Sequence, residues 1–422
     1  MIKKGHGFSV LLYASLLLVS GCSVRGFESS GADSKVLTLN ERQQVASKLD
    51  PAFIQAQNKL GLQLHGELAQ SASKGHNIVL SPYSIFTALT MAYSGGSGTT
   101  KQEMARTLGI ETLSEEQVNA AGRTLQTLLE DADSGVQLST ANSIWFSNGF
   151  KMRQDFIQTA QDSFGAEVKA ADFRQRKTLK DINRWVDKHT NGKIPSILDQ
   201  SPDAATRALL LNAVYYNGAW QRPFDPKDTR EGTFTKADGT EQSAPMMSQS
   251  GRFEYKQTEA AQAIRLPYGD GRLSMLIVLP RHGRSLEELM EQIRRDPSPW
   301  QERYESTPGD LRLPRFKTQY SEQLGPSLQN LGMKQAFQPA KADFSGMSDS
   351  KPLFISAVFH KTMLDVSEKG TEAAAVTGVG MAGSSEPSPQ ERFEMSVDHP
   401  FFFSIEDSQT GLWLFLGTIE GL

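Results

Sequence analysis

Cysteine is nearly absent from this sequence of 422 residues, in which Cys22 is the only one. The chain therefore cannot form an internal disulfide, and the residues after Cys22 supply no thiol nucleophile and no cysteine-ligated metal site. An excess of charge of one sign is also lacking, because 44 Lys and Arg residues stand against 48 Asp and Glu residues. A charge balance so close to neutral argues against nucleic acid as a partner.

The sequence also contains no enzyme motif that has all of its partner groups. Residues 378–383 fit the G-x-G-x-x-G spacing of a dinucleotide-binding turn, but prolines follow at once and only 39 residues remain. Residues 71–74 and 348–351 both fit S-x-x-K, yet the sequence contains no Lys-Thr-Gly and no Ser-Asp-Asn that would accompany a catalytic serine. We therefore predict that the chain is not an enzyme and takes no cofactor and no metal.

The N-terminal residues have the order of charge and hydropathy that is typical of an export signal. Lys3 and Lys4 precede an apolar stretch, residues 8–19, that is too short to span a membrane comfortably. The residues that end this stretch, Val-Ser-Gly-Cys22, resemble a bacterial lipobox, and the alternative is an ordinary signal peptide with an incidental cysteine.

This resemblance implies three regions. We expect residues 1–21 to be a lipoprotein signal peptide and residues 22–48 to be a flexible tether lipidated at Cys22. Residues 49–422 then form one folded domain. The lipid would anchor an exported cell-envelope protein to a membrane, which we expect to be the outer membrane.

The pattern of apolar residues in the domain predicts an α+β fold. Helical periodicity begins at Asp50-Pro51 and at Ser81-Pro82, each an N-cap followed by proline. Further helices are predicted at 154–164 and 179–189. Strands are predicted at 208–216, 273–279, 311–316, 357–366, 401–405 and 412–416. There is no regular alternation of strands and helices, which favours α+β over α/β.

One stretch near the C-terminus could change its structure. Residues 371–383 are small or apolar apart from Glu372, and they contain no proline before Pro387. If they form a strand, Thr371, Ala373 and Ala375 share an uncharged face and Glu372 lies on the other. Composition alone leaves a flexible loop between two strands as the alternative.

Two segments around this stretch resemble the serpin family. Residues 368–375, Glu-Lys-Gly-Thr-Glu-Ala-Ala-Ala, are similar to the hinge of inhibitory serpins. Residues 398–403, Asp-His-Pro-Phe-Phe-Phe, are similar to the signature that follows the reactive loop. Residues 77–84, 211–220 and 353–366 also resemble serpin segments in the same order, so the likeness covers the chain from about residue 50 to its end.

The resemblance implies a fold and a set of site residues. The expected fold has about eight to nine helices around three β-sheets, with a reactive-centre loop at about 368–397. The hinge would contain Glu368, Gly370, Thr371, Glu372, Ala373, Ala374 and Ala375. The polar shutter beneath the opening of the main sheet would contain Ser81, Ser84, Asn212 and His360, with Trp220 at the breach where insertion begins.

The resemblance also implies a function. A serine protease would cleave the loop at Ser384–Ser385, next to Met381, Ala382 and Gly383, and cleavage after Met381 or Ala382 stays open. The hinge would then insert into the sheet and trap the protease as a covalent 1:1 complex. The small residues favour elastase-like or subtilisin-like targets. A non-inhibitory serpin that acts as a binding module and an exported serine hydrolase are the alternatives.

Overall fold

The computed structural model describes residues 37–73, 75–130, 135–350, 352–371 and 392–422. Ten α-helices lie within these described ranges: α1 (Leu39–Ala46), α2 (Pro51–Ser71), α3 (Pro82–Ser94), α4 (Gly98–Leu108), α5 (Glu115–Glu130), α6 (Gln154–Phe164), α7 (Lys177–His189), α8 (Leu286–Arg295), α9 (Ser298–Gln301) and α10 (Gly325–Asn330). They confirm the predicted helices, and α6 has the predicted bounds.

The same residues contain fifteen strands: β1 (Ile78–Leu80), β2 (Val136–Ser147), β3 (Glu167–Ala171), β4 (Ala208–Ala219), β5 (Arg230–Thr235), β6 (Glu241–Gln257), β7 (Ala261–Pro267), β8 (Leu273–Pro280), β9 (Glu305–Pro314), β10 (Phe316–Gln323), β11 (Ile355–Ser367), β12 (Gly370–Thr371), β13 (Phe393–Ser396), β14 (Phe401–Asp407) and β15 (Trp413–Ile419). The α+β class is confirmed.

The strands form two hydrogen-bonded sheets rather than the expected three. The larger has the order β1-β15-β14-β8-β7-β6-β9-β13, with β5 also paired to β6, and the smaller has the order β10-β11-β12-β4-β2-β3. The long strand β6 explains the difference. It pairs with β5 along residues 241–246, with β9 along residues 246–255 and with β7 along residues 254–257, so it joins two regions into one sheet.

The helix starts follow from local sequence. Asp50 accepts a hydrogen bond from the backbone N–H of Ala52, and Ser81 accepts one from that of Ser84, while a proline follows each cap. Helix α3 is buried on almost every side and packs between the other helices and the sheets. Helix α3 therefore supports one face of the smaller sheet. The candidate site lies in this sheet.

Two further expectations need correction. The predicted strand 311–316 is divided between β9 and β10, because the chain turns at Pro314, whose nitrogen has no hydrogen to donate to a ladder. The predicted tether also ends earlier than residue 48. Helix α1 occupies residues 39–46, with a capping box formed by Thr38 and Glu41 and with Arg42 buried against the domain. The sequence did not predict this helix, because its composition is polar and its buried residue, Arg42, is charged.

Candidate functional site at the opening of the smaller sheet

The smaller sheet is open to a further strand at one end. Strands β11 and β4 pair directly and in parallel, from Ile355 opposite Ala208 to Met363 opposite Tyr215. Beyond this point they separate, and the two residues of β12 pair antiparallel with both of them. The chain that follows Thr371 could therefore extend antiparallel between β11 and β4 only if those two strands part.

Thr371 already lies inside the sheet. Its side chain is fully buried, and its Oγ1 lies 2.8 Å from the hydroxyl oxygen of Tyr268. Tyr268 is itself buried and stacks on the indole of Trp220 with ring centroids 4.3 Å apart. Burial raises the pKa of Tyr268 far above its usual value, and the hydrogen bond to Thr371 acts in the opposite direction. The phenol stays neutral and can hydrogen-bond to the hydroxyl.

Gly370 is the residue that admits the chain between the two strands. Its φ of +137° lies in a region that favours glycine. A β-carbon at this position would also collide with the backbone oxygen of Gly218 and crowd the backbone of Ala219 and Trp220. Position 370 therefore requires glycine for both its conformation and its space.

Glu368 fixes the start of the turn. Its buried carboxylate accepts hydrogen bonds of 2.7 Å from Arg315 Nε and from the hydroxyl of Thr229. Burial raises the pKa of Glu368, but the bonds from Arg315 and Thr229 outweigh it, so the pKa lies below its ordinary value. The indole N–H of Trp220 donates to the backbone oxygen of Ser367 at 2.9 Å. The predicted hinge start and breach residue therefore lie together.

The predicted shutter residues form one buried cluster deeper in the sheet. His360 on β11 lies directly opposite Asn212 on β4, and its Nδ1 hydrogen-bonds to the side-chain oxygen of Asn212. The backbone N–H of Ser81 donates to Nε2 of His360 at 3.2 Å. Ser84 accepts a hydrogen bond from the amide of Asn212. The structure thus brings all four predicted residues together.

The hydrogen bonds assign the protonation of His360. Its Nε2 accepts from a backbone N–H, so the ring proton is on Nδ1 and points to Asn212. Burial lowers the pKa of His360 to about 3, from its usual 6.5. The neutral ring therefore links β11 and β4 at their centre through a bond that must break if the strands part.

Sequence reasoning missed four residues of the site. Asn142 on β2 lies opposite Asn212 and accepts hydrogen bonds from both Asn212 and Ser84. Its strand also contains Gln137, Ser139, Thr140 and Ser143, so no clear signal in the sequence marks it. Tyr268, Arg315 and Thr229 contact the hinge across long sequence separations, and their local sequence does not distinguish them from ordinary core or surface residues.

Some predicted residues lie outside the described residues. They are Cys22, Glu372, Ala373, Ala374, Ala375, Met381, Ala382, Gly383, Ser384 and Ser385. Across the described ranges no helix has the length and apolarity needed to cross a membrane. Within the same ranges there is also no group of three or more His, Cys, Asp or Glu side chains that could hold a metal ion.

One known protein family matches most of this chain. The model of the family described as Serpin (serine protease inhibitor) matches residues 55–421. The chain therefore belongs to the serpin family, and the function that this membership gives at family level is protease inhibition, not catalysis. The serpin fold is confirmed.

Particular relatives cover nearly the whole chain. An uncharacterized serpin-like protein of Methanosarcina mazei is 33% identical over 97% of this chain and 97% of its own length. Leukocyte elastase inhibitor A of Rattus norvegicus is 34% identical over 86% of this chain and 98% of its own. Among solved structures, the thermophilic serpin tengpin in its native state has a TM-score of 0.80 and 32% identity, with 89% and 95% of the two chains covered.

Proposed function

We propose that this chain inhibits serine proteases by trapping them after one cleavage of its own loop. The observation that carries the proposal is the position of β12, which already pairs on both sides between two strands that are otherwise paired with each other. Each further residue that inserts replaces one hydrogen-bonded ladder, between β11 and β4, with two, one to each of these strands. Insertion of the whole hinge side would therefore release free energy that can be used to displace an attached protease.

The covalent step is the first half of ordinary proteolysis. The protease serine Oγ attacks the carbonyl carbon of Ser384, its proton passes through the protease histidine to the nitrogen of Ser385, and the peptide bond breaks. The result is an ester between the protease and Ser384 and a new amino terminus at Ser385. Insertion of residues 372–383 would carry the ester away before water hydrolyses it. The bond after Met381 or Ala382 is the alternative.

We propose elastase-like or subtilisin-like enzymes as targets. The residues around the bond are small or unbranched, which suits a shallow primary pocket, and they include no Arg or Lys for a trypsin-like enzyme. The name of the rat relative, leukocyte elastase inhibitor A, supports the same class. We also propose that the protein is displayed at a membrane through a lipid on Cys22.

The test compares the parent chain with two variants of neighbouring residues, Ala374→Arg and Ala375→Arg. Thr371 faces the buried side of the sheet, and because side chains alternate, Ala375 would face the same side and Ala374 the other. Each variant and the parent chain are incubated with elastase, subtilisin and trypsin and separated on denaturing gels. Mass spectrometry of the products locates the cleaved bond.

The parent chain and Ala374→Arg should form a complex with elastase or subtilisin that survives denaturation. Ala375→Arg should be cleaved at the same bond without retaining the protease, because a buried unpaired guanidinium opposes insertion. Cleavage of all three chains with no covalent complex would contradict trapping. Complexes with trypsin alone would contradict the target class.

A further inference from the structure

The N-terminal helix α1 lies before the residues that the family model matches, which begin at residue 55. A helix of eight residues is not stable by itself, so contacts with the domain must hold it. Val45 and Ala46 pack against the main core, and Leu49, just after the helix, is part of that core. Arg42 makes a polar contact between α1 and the rest of the domain.

Arg42 is buried although it is charged. Its side chain is only 4% exposed, and its Nη1 lies 3.3 Å from a carboxylate oxygen of Asp270. Next to this pair, Arg272 Nη1 lies 3.8 Å from Asp407, whose side chain is 2% exposed. Burial raises the pKa of Asp407, and the charges of Arg272 and Arg42 act in the opposite direction. These four side chains form one charge cluster.

The charge cluster is joined to the opening of the smaller sheet by a turn of five residues, 268–272, between β7 and β8. Asp270 and Arg272 are on the side of the turn that meets Arg42, and the side chain of Asp270 also accepts from the backbone N–H of Arg272 at 2.9 Å. On the other side, Gly269 N–H donates to the backbone oxygen of Ala219 at 2.9 Å. Tyr268, which contacts Thr371, begins the turn.

We propose that α1 acts as a strap that holds the 268–272 turn through Arg42 and thereby restrains the opening at which the hinge inserts. Only Gly269 lies between Tyr268 and Asp270, whose carboxylate holds Arg42. Release of α1 would leave Asp270 without this cation and loosen the turn that positions Tyr268 and Ala219. The regulatory consequence rests on the proposed function, but the coupling itself can be measured without a protease.

The experiment is hydrogen–deuterium exchange of the intact, full-length chain. Arg42→Ala removes the buried cation, and Asp270→Asn removes its partner's charge while keeping a similar shape. Gln43→Ala is the matched control, because Gln43 is an exposed residue of the same helix. The amides of Trp220 and Thr371 report on the opening, and those of β15 report on global stability.

We expect Arg42→Ala and Asp270→Asn each to speed exchange at the opening by about tenfold, with β15 unchanged. The double variant should be no faster than either single variant, since both remove the same contact. Exchange in Arg42→Ala equal to that in Gln43→Ala, or a double variant whose effect is the sum of the two, would overturn the proposal. Failure of the chain to trap a protease would refute the proposed function and leave this coupling standing.

Discussion

Acid should weaken this protein through His360 in a way that can be calculated. The usual pKa of histidine is 6.5, and burial lowers that of His360 to about 3. Between these two values the unfolded chain binds a proton that the native ring does not. His360 therefore does not reduce the stability of the native state above about pH 6.5, and it reduces that stability progressively as the pH drops from 6.5 towards 3.

The size of the effect follows from the same two values. Each pH unit within the window costs about 1.4 kcal/mol, so a single buried histidine costs about 2 kcal/mol between pH 7.5 and pH 5. His65 is also buried, and burial together with the nearby charge of Arg294 lowers its pKa to about 3. It should contribute a similar loss, but it bonds to Thr418 rather than across β11 and β4.

The measurement is the free energy of the first urea unfolding transition at pH 7.5 and at pH 5. His360→Gln should flatten the pH dependence by about 2 kcal/mol relative to the parent chain. His65→Gln should flatten it by a similar amount. The parent chain and the two variants differ only at these positions, so the differences between their pH dependences isolate each histidine. A parent slope retained in His360→Gln would refute the reasoning.

Three further outcomes are expected. Cleavage near Ser384 should raise the melting temperature in calorimetry by tens of degrees if the loop inserts, and an equal or lower value after a verified cut would contradict insertion. Gly370→Ala should lower the free energy of unfolding in urea melts by about 1–3 kcal/mol or more. Gly149→Ala is the control, because Gly149 also has a positive φ but its β-carbon would meet nothing within 4 Å. The loss should be larger in Gly370→Ala than in this control. Equal losses would show that the close approach to Gly218 is unimportant. Cys22→Ala should abolish incorporation of acyl label, and label that persists would exclude lipidation at this residue.

The local sequence predicted secondary structure correctly where a segment's own residues determine whether it forms a helix or a strand. Helix α6 has its predicted bounds because amphipathic periodicity between Arg153 and Gly165 leaves no competing pattern. The apolar strands β4, β8 and β14 also lie where their residues indicated, although each extends a little further. Buried strands of this kind have few alternatives, because their side chains are apolar on both faces.

Long-range partners could not be predicted in the same way. Glu368 was expected in the hinge, but its cation, Arg315, lies 53 residues earlier, at the corner where a continuous strand was predicted. Thr371 was expected to enter the sheet only on insertion, and the structure has it buried already against Tyr268. Both contacts depend on how the two sheets meet, and residue patterns within one strand carry no information about that arrangement.

The position of the hinge indicates where the barrier to insertion lies. Gly370 and Thr371 are already between the strands, so the opening itself need not form. The next residues can enter only by separating β11 from β4, and the polar cluster around His360 and Asn212 lies in the middle of that paired region. Its hydrogen bonds are buried, and each is costly to break before a new strand replaces it. The rate of insertion should therefore depend on the shutter, while the hinge contacts determine whether insertion begins at all.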